Sequence, residues 1–150
     1  DTNLTGSMTS DTDTSQGTSI RNYYQWERTV DATQHFYTVA VRVTLPEDFS
    51  AWATANALQV NYITENATST NSLVDLYVYN ENSSTIVTSS TNNASITWTT
   101  ITVDDSVLDD NTLSEWDAAG ETVVLYLRMG SGGSNYARIG DIVLNYLARF

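Results

Sequence analysis

The 150 residues contain no cysteine, which excludes a disulfide framework and a thiolate metal site. They contain no lysine either: the six basic residues are all arginine, set against eighteen Asp and Glu. A net charge of -12 lacks the basic footprint that nucleic acid requires, and it is repelled by an anionic membrane surface. No apolar run approaches the roughly eighteen residues of a membrane span, so membrane insertion is not expected. His35 is the lone histidine, and no serine or cysteine is paired with it by motif, so a catalytic triad has no support. Some pair among so many carboxylates will stand at glycosidase distance by chance, and spacing alone does not identify it. The chain reads as a non-enzyme.

What is abundant is hydroxyl and amide. Thr, Ser and Asn number 23, 16 and 13, together 52 of the 150 residues. Threonine with tyrosine and tryptophan is what solvent-facing strand positions accept. Uncharged, hydroxyl-rich surfaces of this kind recur in secreted proteins and at cell and virion surfaces, the extracellular setting expected here, and a salt-adapted source equally accounts for an acidic, lysine-free composition. The length suits one domain with a core that needs no covalent staples. The first residue is Asp rather than Met, from which a processed chain or a fragment is expected.

Residues 1–19 hold only Leu4 and Met8 as large apolar side chains. Such a segment cannot offset its own ordering entropy and is expected to be an extended polar arm, ordered only when other backbone groups hold it. Residues 20–150 carry strand periodicity. A first strand or two is expected between Ile20 and Thr33. Tyr37, Val39, Val41, Val43 and Leu45 then alternate with Thr38, Ala40, Arg42 and Thr44 up to Pro46, a half-buried strand stopped by a residue with no N–H to donate.

Asp48 to Trp52 reads as a short helical turn tucking Phe49 and Trp52 under the sheet. Further strands are expected from Leu58, over Leu73–Tyr79, Thr85–Ser89, Ser95–Val103 and Thr122–Met129, with a helical turn near Leu113–Trp116. In the last stretch Ile142, Leu144, Tyr146, Ala148 and Phe150 share one register, which predicts a core strand running to the end, with a bulge at Gly140. Roughly eight short strands broken by polar turns predict an all-β fold, a single antiparallel β-sandwich of jelly-roll type. Its apolar faces are expected from Val39, Val41, Val43, Leu76, Val78, Leu125, Leu127, Ile142 and Leu144, with Trp52 and Trp98 largely buried.

Two sets of residues carry candidate chemistry. Tyr77 and Tyr79 share the non-core face of one strand, and Tyr126 and Arg128 that of another. Exposed aromatics in a row stack on sugar rings or on a partner protein, although cross-strand aromatic pairing alone also stabilises a sheet. Asp104, Asp105, Asp109 and Asp110 lie within seven residues and, with Asp141, are the positions that calcium would use, since it takes oxygen ligands; the same residues also serve as ordinary turn and cap residues. No other cofactor is expected.

Ile96–Val103, Trp116–Arg128 and Ala137–Tyr146 resemble the second half of galactose-binding-like jelly rolls, which include carbohydrate-binding modules. In that family the last strand often carries an Asp where Asp141 stands, near a calcium site. Over Asn22–Phe150 the chain also resembles terminal β-sandwich domains of phage and bacterial surface fibre-type proteins. That likeness is carried by Tyr23-Tyr24-Gln25-Trp26, Leu45–Phe49 and the closing Ile139-Gly140-Asp141-Ile142. The second resemblance implies a surface assembly role; taken with the polar arm of residues 1–19, the expectation is a structural subunit of a filament, fibre or virion, joined to copies of itself through that arm with Leu4 and Met8 as anchors. The first implies the alternative, a carbohydrate-binding module with a glycan as partner.

Overall fold

In the computed structural model of the chain, the residues described are 6–15, 20–29, 32–80, 86–109 and 115–149. The strands are β1 (Gly6–Asp13), β2 (Arg21–Arg28), β3 (His35–Thr44), β4 (Phe49–Trp52), β5 (Leu58–Thr64), β6 (Ser72–Asn80), β7 (Ile86–Asn93), β8 (Thr99–Val103), β9 (Thr122–Ser131), β10 (Tyr136–Leu144) and β11 (Tyr146–Ala148). One short helix, α1 (Asp105–Leu108), follows β8. All pairings are antiparallel.

One sheet runs β1-β2-β10-β5-β8 and the other β3-β9-β6-β7, with β11-β4 as a small third ribbon. Apart from the β6–β7 hairpin, successive main strands from β2 to β10 cross between the two large sheets, which wraps the chain as a jelly roll. The fold is therefore the antiparallel jelly-roll sandwich that the periodicity predicts.

Strand parity builds the core. In the four-stranded sheet Val39 faces Leu127, and Leu127 faces Leu76. One step along, Val41, Leu125 and Val78 form the next row. Leu58, Val60, Ile101, Ala137, Ile139 and Trp26 supply the opposing face. Val39, Val41, Val43, Ile142 and Leu144 are partly buried and pack on this centre rather than within it. The sandwich is closed at one end by aromatic packing. Trp116 is fully buried and meets Trp52 edge-on at 4.9 Å, and Phe49 meets Trp52 at 5.1 Å. The indole N–H groups are satisfied in that packing: Trp52 donates to the Trp116 carbonyl at 2.5 Å, and Trp116 to the Glu121 carbonyl at 3.3 Å.

Several local expectations are corrected. Phe49 and Trp52 are buried as expected, but from a short strand, because β11 supplies a partner ladder that the local sequence does not reveal. The helical turn sits at Asp105–Leu108, where Leu108 is the buried anchor. Of the stretch expected to carry it, Leu113 and Ser114 lie outside the described residues, and Glu115 and Trp116 are not helical.

The final run is two strands, not one. Asn145 interrupts it, because its amide bonds to the Ala57 carbonyl and its own carbonyl accepts from Ala53, which turns the chain from β5 onto β4. Phe150 lies outside the described residues. Trp98 is only partly buried, since it lies on the outer face of the five-stranded sheet over Gly140, where an added Cβ would come within 3.2 Å of its ring. The bulge expected at Gly140 is present, as the β10–β5 register shifts between Ile139 and Ile142.

The segment expected to be a free arm is extended, and over Gly6–Asp13 it lies along β2 of its own chain as an edge strand. The backbone of β2 supplies the hydrogen bonds that a polar segment needs, and Met8, opposite Trp26, packs against the core. Leu4 and the rest of 1–5 lie outside the described residues. Trp116→Ala, which removes the largest fully buried side chain and its edge-on contact with Trp52, is expected to lower unfolding stability by about 3–5 kcal/mol in urea titration. A loss under about 1 kcal/mol would mean that the end of the sandwich is not closed by this packing.

Candidate functional site

On the solvent face of the four-stranded sheet, parity brings together the side chains that the core strands turn outward. Register sets Tyr126 beside Tyr77, and Arg128 beside Asp75. All four aromatic and arginine candidates from β6 and β9 meet there. Tyr77 and Tyr79 lie nearly parallel with ring centres 6.2 Å apart, and Tyr79 meets Tyr126 at 5.0 Å. The Arg128 guanidinium stands 5.6 Å from the Tyr77 ring and 4.5 Å from Phe36 of β3.

Asp75 holds that guanidinium in place. Its carboxylate is fully buried; Oδ2 accepts from Arg128 Nε at 2.8 Å and Nη2 at 2.6 Å, and Oδ1 accepts the Asn92 amide N–H at 2.6 Å. Asn92 adopts a left-handed φ of 61°, which turns its amide inward to the carboxylate. Phe36 reaches Arg128 across the sheet because residue 130 is glycine; a Cβ there would stand 2.8 Å from the Phe36 ring. Ile86 of β7, opposite Tyr79, extends the face. The result is a shallow row of Phe36, Arg128, Tyr77, Tyr126, Tyr79 and Ile86, with Phe36, Tyr126 and Ile86 exposed. Phe36, Asp75 and Gly130 belong to the arrangement but are not legible as members in the sequence, because their place depends on the β3–β9–β6 register.

A second cluster was not anticipated at all. On the outer face of the five-stranded sheet the Arg138 guanidinium lies 4.0 Å from the Tyr136 ring and 4.4 Å from Tyr23, and its Nε donates to Gln25 Oε1 at 2.6 Å. Tyr23 in turn meets Trp98 at 6.3 Å, and Trp98 Nε1 donates to Asp13 at 2.8 Å. Hydrogen bonds from the Ser15 hydroxyl and from Trp98 hold the Asp13 carboxyl down at about 2. Its stabilising contribution is therefore present above the ordinary carboxylate range and lost as pH falls through about 2. The only sequence signal was the alternation of Tyr23 and Gln25, which carries meaning once β10 is known to be their neighbour.

Among the described residues, the acidic candidates Asp104, Asp105 and Asp141 each have their own partner. Asp104 accepts the Asn56 N–H at 2.9 Å, Asp105 accepts from the Ser106 amide at 2.7 Å, and Asp141 faces Arg21 at 3.9 Å. Asp110 lies outside the described residues. Asp109 instead converges with Glu115 and Asp117, each offering a carboxylate oxygen within 4.8 Å of the others. Three oxygens are part of the six to eight that calcium takes, so an ion there would need further ligands.

Burial, then the charges of Glu115, Glu121 and Asp109, raise the Asp117 carboxyl to about 6. The folded state thus holds this proton more tightly than the unfolded chain, and stability falls as pH rises from the ordinary carboxylate value to about 6. Asp117→Asn is expected to raise the melting temperature near neutral pH and to flatten its fall between about pH 4 and pH 6. Calcium seated on the trio would raise the melting temperature of the unaltered protein at neutral pH and not near pH 4, because it requires the charged carboxylates. Melts recorded across that range with and without calcium check both points; an unchanged slope in the Asn variant would remove Asp117 as the cause.

No family model matches the chain, and no curated protein matches it by sequence. Among solved structures it is similar to the family 11 carbohydrate-binding module of the cellulosomal cellulase Lic26A-Cel5E of Clostridium thermocellum. That similarity has 14% sequence identity, covers 97% of this chain and 85% of that one, and has a TM-score of 0.45.

Proposed function

We propose that the protein is a non-catalytic carbohydrate-binding module that holds a glycan chain along the outer face of its four-stranded sheet. The observation that carries this reading is the row of Tyr77, Tyr79 and Tyr126 beside a guanidinium fixed in its plane by a buried carboxylate. A sugar ring presents C–H groups on its faces and hydroxyls around its edge. Tyrosine rings accept the faces, while phenolic hydroxyls and the free edge of a guanidinium bond the rim.

Around the row, Thr38, Thr44, Thr122 and Ser89 carry hydroxyls. The Arg128 charge is balanced by Asp75, so the face suits a neutral glycan better than an anionic one. Such a module works outside the cell, in keeping with a surface rich in threonine, serine and asparagine. No helix among the described residues is long and apolar enough to cross a membrane. The assembly reading draws no support from residues 6–13, which are paired within their own sheet.

Calorimetry against soluble neutral polysaccharides is expected to give dissociation constants between about millimolar and micromolar. Tyr77→Ala and Tyr126→Ala should each weaken binding roughly tenfold, about 1.4 kcal/mol, with the circular dichroism spectrum unchanged. Binding that survives the double variant undiminished would sink the assignment of the face. The absence of any glycan ligand for the unaltered chain would sink the function itself.

A further inference from the structure

β10 pairs with β2 only from Tyr136 to Ile139, and then the bulge at Gly140 and Asp141 carries it off the ladder. β2 continues as Arg21–Tyr23, paired only with β1. The β1–β2 ribbon and β10 therefore part like a split seam. In the opening lies a cleft of about 360 Å³ lined by Ser10, Asp11, Thr12, Asn22, Tyr23, Tyr24, Ile139, Gly140 and Asp141. That volume falls within the range of small-ligand sites.

The lining mixes chemistry in a specific way. Tyr24 is 55% exposed although its neighbour along the same strand face, Trp26, is buried in the core. Tyr23, of opposite parity, turns its ring to the outer face, where the Arg138 guanidinium at 4.4 Å and Trp98 at 6.3 Å hold it beside the seam. Asp11 of β1 and Asp141 of β10 both border the cleft; Asp11 commits one oxygen to the Thr12 amide at 2.7 Å, and Asp141 stands 3.9 Å from Arg21. Ser10, Thr12 and Asn22 add hydroxyl and amide groups, with the Thr12 hydroxyl bonded to Asn22 Oδ1 at 2.9 Å. Glycine at 140 keeps the seam open to Trp98 and to the Asn22 carbonyl, 3.2 Å and 3.6 Å from where a Cβ would stand.

We propose that this cleft is a second binding site, for a single uncharged sugar ring, separate from the tyrosine row and on the other sheet. Carboxylates that accept from adjacent hydroxyls, the exposed Tyr24 ring for the C–H face and amide groups at the rim match such a ring. The net charge of -12 disfavours an anionic sugar. The cleft does not depend on the tyrosine row: it would hold one ring, whereas the row is laid out for a chain.

The test is an amide NMR titration of the full chain with glucose, galactose, mannose and xylose, and with glucuronate as the anionic control. At least one neutral sugar is expected to shift the amides of Asn22, Gly140 and Asp141 with a dissociation constant in the millimolar range, and glucuronate is expected to shift none. Tyr24→Ala and Asp141→Asn, both at exposed side chains, should weaken that response at least fivefold, while Tyr126→Ala leaves it unchanged. Silence of the β1, β2 and β10 amides with all four neutral sugars at about ten times a millimolar constant overturns the proposal. A response that Tyr126→Ala abolishes, or that both cleft variants leave intact, also overturns it. Loss of binding at the tyrosine row alone would count against the first site only.

Discussion

Asp75 is a carboxylate without access to water in the middle strand of a sheet, and a buried charge of that kind persists only when it is paired. Arg128 from β9 and the Asn92 amide from the β7 turn are what make it tenable. Removing the arginine would leave the carboxylate with the amide alone, a loss on the order of 3–5 kcal/mol for pairs of this sort. The pair joins β6 to β9 side by side, ties the β7 turn to β6, and sets the guanidinium plane between Phe36 and Tyr77. The face proposed to bind glycan is thus organised by an interaction below it. Its rings are arranged before any ligand arrives, and preorganisation of this kind spares the ordering entropy that binding would otherwise expend.

The two faces of the sandwich repeat one device with different partners. Arg128 lies between Phe36 and Tyr77 over a buried Asp, and Arg138 lies between Tyr23 and Tyr136 beside a well-bonded Asp13. In a chain with only six basic residues, spending two this way shows how a lysine-free surface is stiffened. A planar guanidinium can stack and donate hydrogen bonds at once, which an ammonium cannot do. Arginine used in this manner contributes shape more than charge.

Much of this was legible in the residues. Alternation from Tyr37 to Leu45 and from Leu73 to Tyr79 located β3 and β6, and the same parity named Tyr77, Tyr79, Tyr126 and Arg128 as outward-facing. Gly140 marked the bulge. What alternation does not encode is which strand lies beside which. Asp75, Phe36 and Gly130 join the site only through the β3–β9–β6 register, and Trp98, Tyr23 and Arg138 meet only because β10 lies against β2. Phe49–Trp52 read as a helical turn because a four-residue strand has no periodicity to show, and its partner lies about a hundred residues away. Acidic residues close in sequence pointed to a cluster at Asp104–Asp110. The carboxylates that do converge are Asp109 with Glu115 and Asp117, which stand further along the same connection between β8 and β9.

The strand β1 contributes Met8 to the core, is tied at its end to Trp98 and Arg138 through Asp13, and between them presents short polar side chains to solvent. Behind it lies β2, with Tyr24 and Trp26 on its inner face and a full row of backbone donors and acceptors along its edge. Left bare, that edge would invite pairing with any other extended chain. The threonine- and serine-rich strand is therefore a sacrificial hem: it satisfies the adhesive border of the sheet and exposes in its place one with little apolar surface for a foreign strand to grip.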